Sequence, residues 1–327
     1  ITFMRNLFAL ISLIVGSCSA QEYANQYANE IQEEDLKQLL YVYSSDYFEG
    51  RRTGSEGQKR ATDFLRNFYQ SHQIRAAEGT DNYYQDLRLL VDKKRVTSEN
   101  LAAIIPGSEF PEEYILITAH LDHLGIKNGE IYNGADDDGS GTVALLEIAA
   151  AFQKAKLQGN GPKRSLVFLH LTGEEERLAG SNYYVKKPLY PLLQTVANLN
   201  LDMIGRVDPK RTAPNENYIY LIGSDRLSQE LHNVSEQTNA HCCQLALDYT
   251  FNDENDPNDF YTRSDHYSFA QENIPVIFYF NGTHEDYHKP SDTAEKIRYD
   301  LLKNRTQLIF HTAWELANRK NRIQLDN

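Results

Sequence analysis

Six short runs of apolar, β-favouring residues punctuate this chain: NLAAII from Asn100, EYILITAH to His120, SLVFLHL from Ser165, VANLNLD to Asp202, NYIYLIG to Gly223 and PVIFYF from Pro275. Runs this uniformly apolar cannot leave one face in water, so both faces of the sheet they form must be covered. Between several of them the apolar spacing changes to the helical repeat, over 142–155, 180–187 and 225–239. Further helical patterns occupy about 30–42, 59–74 and 300–319. Apolar strands alternating with helices predict an α/β fold, a mostly parallel central sheet with helices on both faces. With 327 residues, 41% of them hydrophobic, the chain can bury a sizeable core.

The first residues read differently. After Met4 come Arg5, an apolar run from Leu7 to Val15, and then small residues. That is the pattern of an export signal, and the run falls short of the ~18 residues a membrane helix needs. Two exits are open. Val15-Gly16-Ser17-Cys18 resembles a bacterial lipoprotein signal, which would place a lipid anchor on Cys18, whereas Cys18-Ser19-Ala20 before Gln21 resembles an ordinary cleavage site. Either predicts an exported protein, periplasmic, extracellular or tethered to the outer membrane. The remaining cysteines, Cys242 and Cys243, are adjacent, and adjacent cysteines rarely bridge without strain, so structural thiols are expected. A net charge of −13 repels nucleic acid and argues against it as a partner.

The polar residues fall where the strands end. One run closes on His120, with Asp122 two residues on; the next leads into Glu174-Glu175-Glu176; a third closes on Asp202. A short loop after the histidine carries Asp136, Asp137 and Asp138 between glycines, ahead of an apolar helix. Taken singly, each has an ordinary explanation: helix capping, a solvated first turn, a turn residue. Together they gather at the strand edge where open α/β sheets bind ligands. Several carboxylates can share one place only if positive charge balances them, and histidine with carboxylate is a donor set for zinc or a similar divalent ion. Two ions bridged by an aspartate would account for the cluster.

In order along the chain stand HLD at 120–122, GADDDGSG at 134–141, TGEEERLAGS at 172–181, NLDMIG at 200–205 and YHKPSDT at 287–293, with RSDHYSF at 263–269 and SSDYFEGRRTGSEGQ near the start. Over roughly 30–320 the chain resembles the secreted, co-catalytic di-zinc aminopeptidases, a family of zinc-exopeptidase architecture. With the export signal read over 1–18, a single catalytic domain is expected over 19–327, and the resemblance implies two zinc ions and peptide substrates. It implies that His120 and Asp202 hold one zinc, Glu175 and His288 the other, and that Asp137 bridges them. Asp122 would accept from His120 and fix its tautomer, Glu174 would act as general base, and the Tyr287 hydroxyl would face the oxyanion. Asp136 and Asp138 would be supporting residues, Glu176 would face solvent, and Asp265 and His266 would lie close behind the site or in its pocket. NDENDPND at 252–259 lacks a regular calcium spacing and is expected to form an active-site loop. The rivals are a glutaminyl cyclase, similar in fold, a deacylase or carboxypeptidase of the wider clan, and a non-catalytic receptor domain on the same scaffold.

Overall fold

A computed structural model describes residues 22–326, so the export signal and Cys18 lie outside the described residues. The chain enters through helices α1 (22–28), α2 (Glu33–Tyr43) and α3 (Glu56–Ser71), then strands β1 (Arg75–Ala76), β2 (Tyr84–Val91), β3 (Lys94–Ile105) and β4 (Phe110–His120). A small hairpin, β5 (Gly125–Lys127) and β6 (Glu130–Tyr132), precedes α4 (Gly141–Leu157), β7 (Arg164–Leu171), α5 (Ala179–Lys186) and β8 (Thr195–Leu201). The rest comprises β9 (Tyr218–Ile222), α6 (Gln229–Cys242), β10 (Ala246–Asp248), α7 (His266–Ala270), β11 (Val276–Phe280) and α8 (Tyr299–Asn318). Among the described residues no helix is long and apolar enough to cross a membrane.

The main sheet runs β1-β3-β7-β4-β8-β11-β9-β10, with β2 also paired to β3. Its centre, β7-β4-β8-β11, is entirely parallel. The strands flanking that centre are antiparallel to it, β3 on β7 and β9 on β11. Alternate side chains serve two cores. Leu101, Ala103, Ile117, Phe168 and Leu199 face a core shared with α2, α3, α4, α6 and α8, while Ala102, Ile104, Leu116, Val167 and Leu169 face a smaller one with Tyr184 of α5 and Phe269 of α7. Both faces are therefore covered, as the apolar runs require. Parallel register also brings the carboxyl ends level: His120 pairs with Leu171, and Thr118 with Asn200.

Three local features depart from expectation. β2 is absent from the sequence reading because Gln85, Asp86 and Arg88 interrupt its apolar pattern; its outer face is exposed. α6 starts at Gln229 rather than 225, since Ser228 caps it by accepting from Leu231 N at 3.2 Å. Cys242 and Cys243 are not thiols but a disulfide. Cys242 ends α6 and Cys243 leaves the helix (φ −121°, ψ −28°), which lets the two sulfurs meet.

Candidate metal centre and catalytic site

The aspartate loop divides its labour. Asp138 is wholly buried and accepts from the backbone N–H groups of His120 (3.1 Å), Gly141 (2.9 Å) and Met203 (3.1 Å), which ties the ends of β4 and β8 to the start of α4. It thus does cap the helix, and a Cβ on Gly141 would fall on its carboxylate. Asp136 accepts from Gly205 N at 2.7 Å and meets His284 Nε2 at 3.1 Å. Asp292, from the PSDT stretch, receives the N–H groups of Asp136 and Asp137. Asp138 is committed to the backbone and Asp136 to Gly205 N and His284, which leaves the Asp137 carboxylate to face the histidines at the strand ends.

Two histidine–carboxylate groups meet on Asp137. On one side His120 Nε2 lies 3.1 Å from Asp137 Oδ1 and 3.5 Å from Asp202 Oδ1. On the other, His288 Nε2 lies 3.1 Å from Asp137 Oδ2 and 3.4 Å from Glu175 Oε1. A residue that the sequence reading missed joins the second group: His123 Nδ1 is 3.0 Å from Glu175 Oε1 and 3.7 Å from Asp137 Oδ2. Within His120/Asp137/Asp202, and within His123/Asp137/Glu175, one donor atom per residue lies within 4.8 Å of the others, close enough to share an ion. The donor atoms fit such an ion. Asp137 Oδ2, Glu175 Oε1 and both His123 ring nitrogens are buried without a hydrogen-bond partner. Buried polar atoms are rarely left so, and nitrogen and oxygen donors facing a common point are what a zinc ion takes.

The first group is braced from behind. Ser264 Oγ donates to Asp202 Oδ2 at 2.6 Å, Asn200 Nδ2 donates to Ser264 Oγ, Thr118 Oγ1 donates to Asn200 Oδ1, and Asn198 Nδ2 donates to Thr118 Oγ1. His120 Nδ1 is held by the main-chain oxygen of Asp122 at 3.1 Å. The acceptor is thus the Asp122 main chain; its carboxylate lies 3.9 Å from His120 Nδ1 and accepts from Thr53 Oγ1 (2.7 Å) and Glu174 N (3.1 Å). Asp122 therefore fixes the His120 tautomer through its backbone and positions the glutamate loop through its side chain.

Glu174 lines a small, half-open pocket of about 30 Å³ with Asp137, Asp202 and His288, walled by Met203, Phe260, Phe278 and Phe280. Burial, then the charges of Asp202, Glu175 and Asp265, push its carboxyl well above the usual range against the pull of His120. For Glu175, burial and Asp137 push upward, but His123 and His288 draw it down to about 2. Tyr287 stands at the cavity wall, stacked on His288 at 3.9 Å between ring centres. Asp265 and His266 are buried behind this wall rather than in the cavity; His266 stacks on Phe278. The 252–259 loop spends Asp253 and Asp256 on its own turns, receiving Asn255 N and Asn258 N, and delivers Phe260 to the cavity. Glu176 is half-buried rather than fully solvated.

These elements define a metallopeptidase scaffold, and the comparisons agree. Residues 100–313 match peptidase family M28, and the chain belongs to that family. A probable leucine aminopeptidase of Trichophyton verrucosum is 26% identical over 225 residues, 67% of this chain and 57% of the relative, so the chain spans little more than half that relative's length. Among solved structures, the Legionella pneumophila LapA aminopeptidase shares the fold with a TM-score of 0.69 at 23% identity, over 91% of this chain and 75% of that one. The Porphyromonas gingivalis glutaminyl cyclase shares it with a TM-score of 0.65 at 18% identity, over 86% and 97%.

Proposed function

We propose that this chain is an exported zinc aminopeptidase that holds two zinc ions and removes N-terminal residues from peptides. The observation that carries the reading is the pair of donor groups sharing Asp137 beside a small, aromatic-walled pocket. His120, Asp137 and Asp202 would hold one ion, and Asp137, Glu175 and His288 the other. Zinc bound there supplies Lewis-acid polarisation of the scissile carbonyl and a water acidified toward neutral pH.

The chain's own residues do the rest. Glu174, raised by burial, accepts the proton of the attacking water and returns it to the departing amine. Asp122 keeps the Glu174 loop in place through the Glu174 N–H. Tyr287 offers a hydroxyl on the same wall, suited to the oxygen that gains charge. Glu174, Arg263 and Tyr287 also line a wider depression of about 470 Å³. The aromatic-walled pocket would then receive the first side chain, and the wider depression the peptide beyond the cleaved bond. Export, with or without lipid on Cys18, belongs to the same proposal.

The test is turnover by the zinc-loaded protein on aminoacyl anilides, N-terminally blocked peptides and glutaminyl peptides. Release of leucyl or phenylalanyl anilide with no action on blocked peptides is expected. Cyclised product from glutaminyl peptides would instead make it a cyclase, and inertness on all three a binding domain.

A further inference from the structure

We infer that His123 is a protein ligand of the second ion, alongside Asp137, Glu175 and His288, so that this site is closed by protein while the His120/Asp137/Asp202 site keeps an open position. The inference rests on the two-metal reading above and adds to it a residue that the resemblance does not supply.

Four observations converge. The His123 ring is fully buried, 1% exposed, three residues beyond His120 on the same strand-end loop. Its Nδ1 lies against the same two oxygens that His288 Nε2 faces, Asp137 Oδ2 and Glu175 Oε1. Nδ1 stands at ion-pair distance from Glu175 Oε1, 3.0 Å, but outside hydrogen-bond geometry, and Glu175 Oε1 and Asp137 Oδ2 likewise lack a hydrogen bond of regular geometry. Atoms so close and so buried that do not bond one another are aimed at something between them, and a lone-pair nitrogen beside two carboxylate oxygens is aimed at a cation.

The backbone is also shaped for this ring. Gly134 sits at φ +54°, and a Cβ there would lie 2.5 Å from His123 Cγ and Cδ2. The buried Arg51 guanidinium donates to Gly134 O at 2.9 Å, Asn133 O at 2.7 Å and Leu121 O at 3.1 Å, while His123 N donates to Arg51 O. One arginine thus clamps the histidine loop to the aspartate loop and sets Nδ1 at its distance from Glu175.

The consequence is a difference between the ions. Four protein donors complete a tetrahedral zinc site of the structural kind, whereas three leave the fourth position for water or substrate. The second ion would then hold Asp137 and Glu175 in place and balance their charge. The open coordination would lie on the His120 side, facing Asp202 and Glu174 across the cavity.

The test counts ligands rather than turnover. Proton NMR of the di-cobalt protein should show a hyperfine-shifted, exchangeable imidazole N–H for each of His120, His123 and His288, and His123→Gln should remove one of the three. In parallel, zinc dialysis should find one of two ions weakened in His123→Gln by more than the roughly 10–100-fold that loss of an outer hydrogen-bonding partner costs. Circular dichroism of the metal-stripped variant checks that it folds. Only two shifted N–H signals in the wild type, both kept in His123→Gln, would overturn the inference and leave the two-metal reading standing. Fewer than two ions in the wild type would overturn both.

Discussion

The two halves of the proposed metal centre are built by different means. The His120/Asp202 half stands on the ends of β4 and β8, and each donor has a partner behind it: Ser264 for Asp202, the Asp122 carbonyl for His120. The His123/Glu175/His288 half stands on loops. Glu175 Oε1 and the His123 nitrogens lack partners, and the His288 side chain is 37% exposed at a left-handed backbone position (φ 56°). Strand ends inherit their placement from sheet register, and a chain of hydrogen bonds then fixes the side chains at no further backbone cost. Among the loop donors, His123 has the Arg51 clamp on its loop as a frame, whereas Glu175 Oε1 has no hydrogen-bonded partner behind it. The first half should hold its geometry from protein contacts alone, while the second depends on the charge it encloses.

Glu174 lies between the halves and gives the sharpest test of whether they are a catalytic unit. Glu174→Gln keeps shape and hydrogen bonding but removes the base, and loss of general-base catalysis is worth roughly 10²–10⁴ in rate. The expected result is a fall in kcat of at least about a hundredfold, with both ions retained by metal analysis and KM little changed. Near-normal turnover would show that the proton is taken elsewhere. Glu175→Gln should differ in kind, by weakening one ion.

Ser264→Ala probes the bracing itself. It deletes the 2.6 Å bond to Asp202 and strands Asn200 Nδ2, yet touches nothing in the loop half. Outer partners of this sort typically contribute 10–100-fold to metal affinity, so about that loss is expected at one ion only. Competition with a chelator reads it directly. Equal weakening of both ions would mean that the halves are coupled through Asp137 more tightly than their separate supports suggest.

The same contrast explains what the sequence made legible. The strand half is written in apolar runs that stop on His120 and Asp202, and the motif order identified Asp137, Glu174, Glu175 and His288 through the resemblance. His123 was hidden because the matched motif, HLD, stops one residue short of it; its one signal was a glycine-rich partner loop leaving room for a ring. That Asp122 accepts from His120 through its carbonyl, leaving its carboxylate for the glutamate loop, is a distinction that no residue letter carries. β2 was masked by its charges, and the Cys242–Cys243 bridge by a rule about strain that the helix end relaxes. Arg51 lay inside the EGRR stretch without any hint that its guanidinium would clamp two loops.

The smallest expected effect belongs to Glu176, whose sign can be argued. It lies in the turn ahead of α5, three residues before the first helical one, and lines neither cavity at the site. Partial burial raises its carboxyl; Arg52 opposes, and the charges of Asp122, Asp92 and Glu175 add to the rise. A raised carboxylate pKa means that the folded protein disfavours the charged form, so ionisation of Glu176 weakens the fold as pH rises through its range. Glu176→Gln removes that charge and its repulsion of Asp122 and Glu175. Thermal stability at neutral pH should therefore hold or rise slightly, within the about 0.5 kcal/mol usual for changes outside cores and networks. Turnover should stay within about twofold of wild type, since that same small energy corresponds to roughly a factor of two in rate. A Tm lower by several degrees together with a large loss of turnover would mean that Glu176 carries a positive interaction at the site. The roles of three consecutive glutamates would then have to be reassigned.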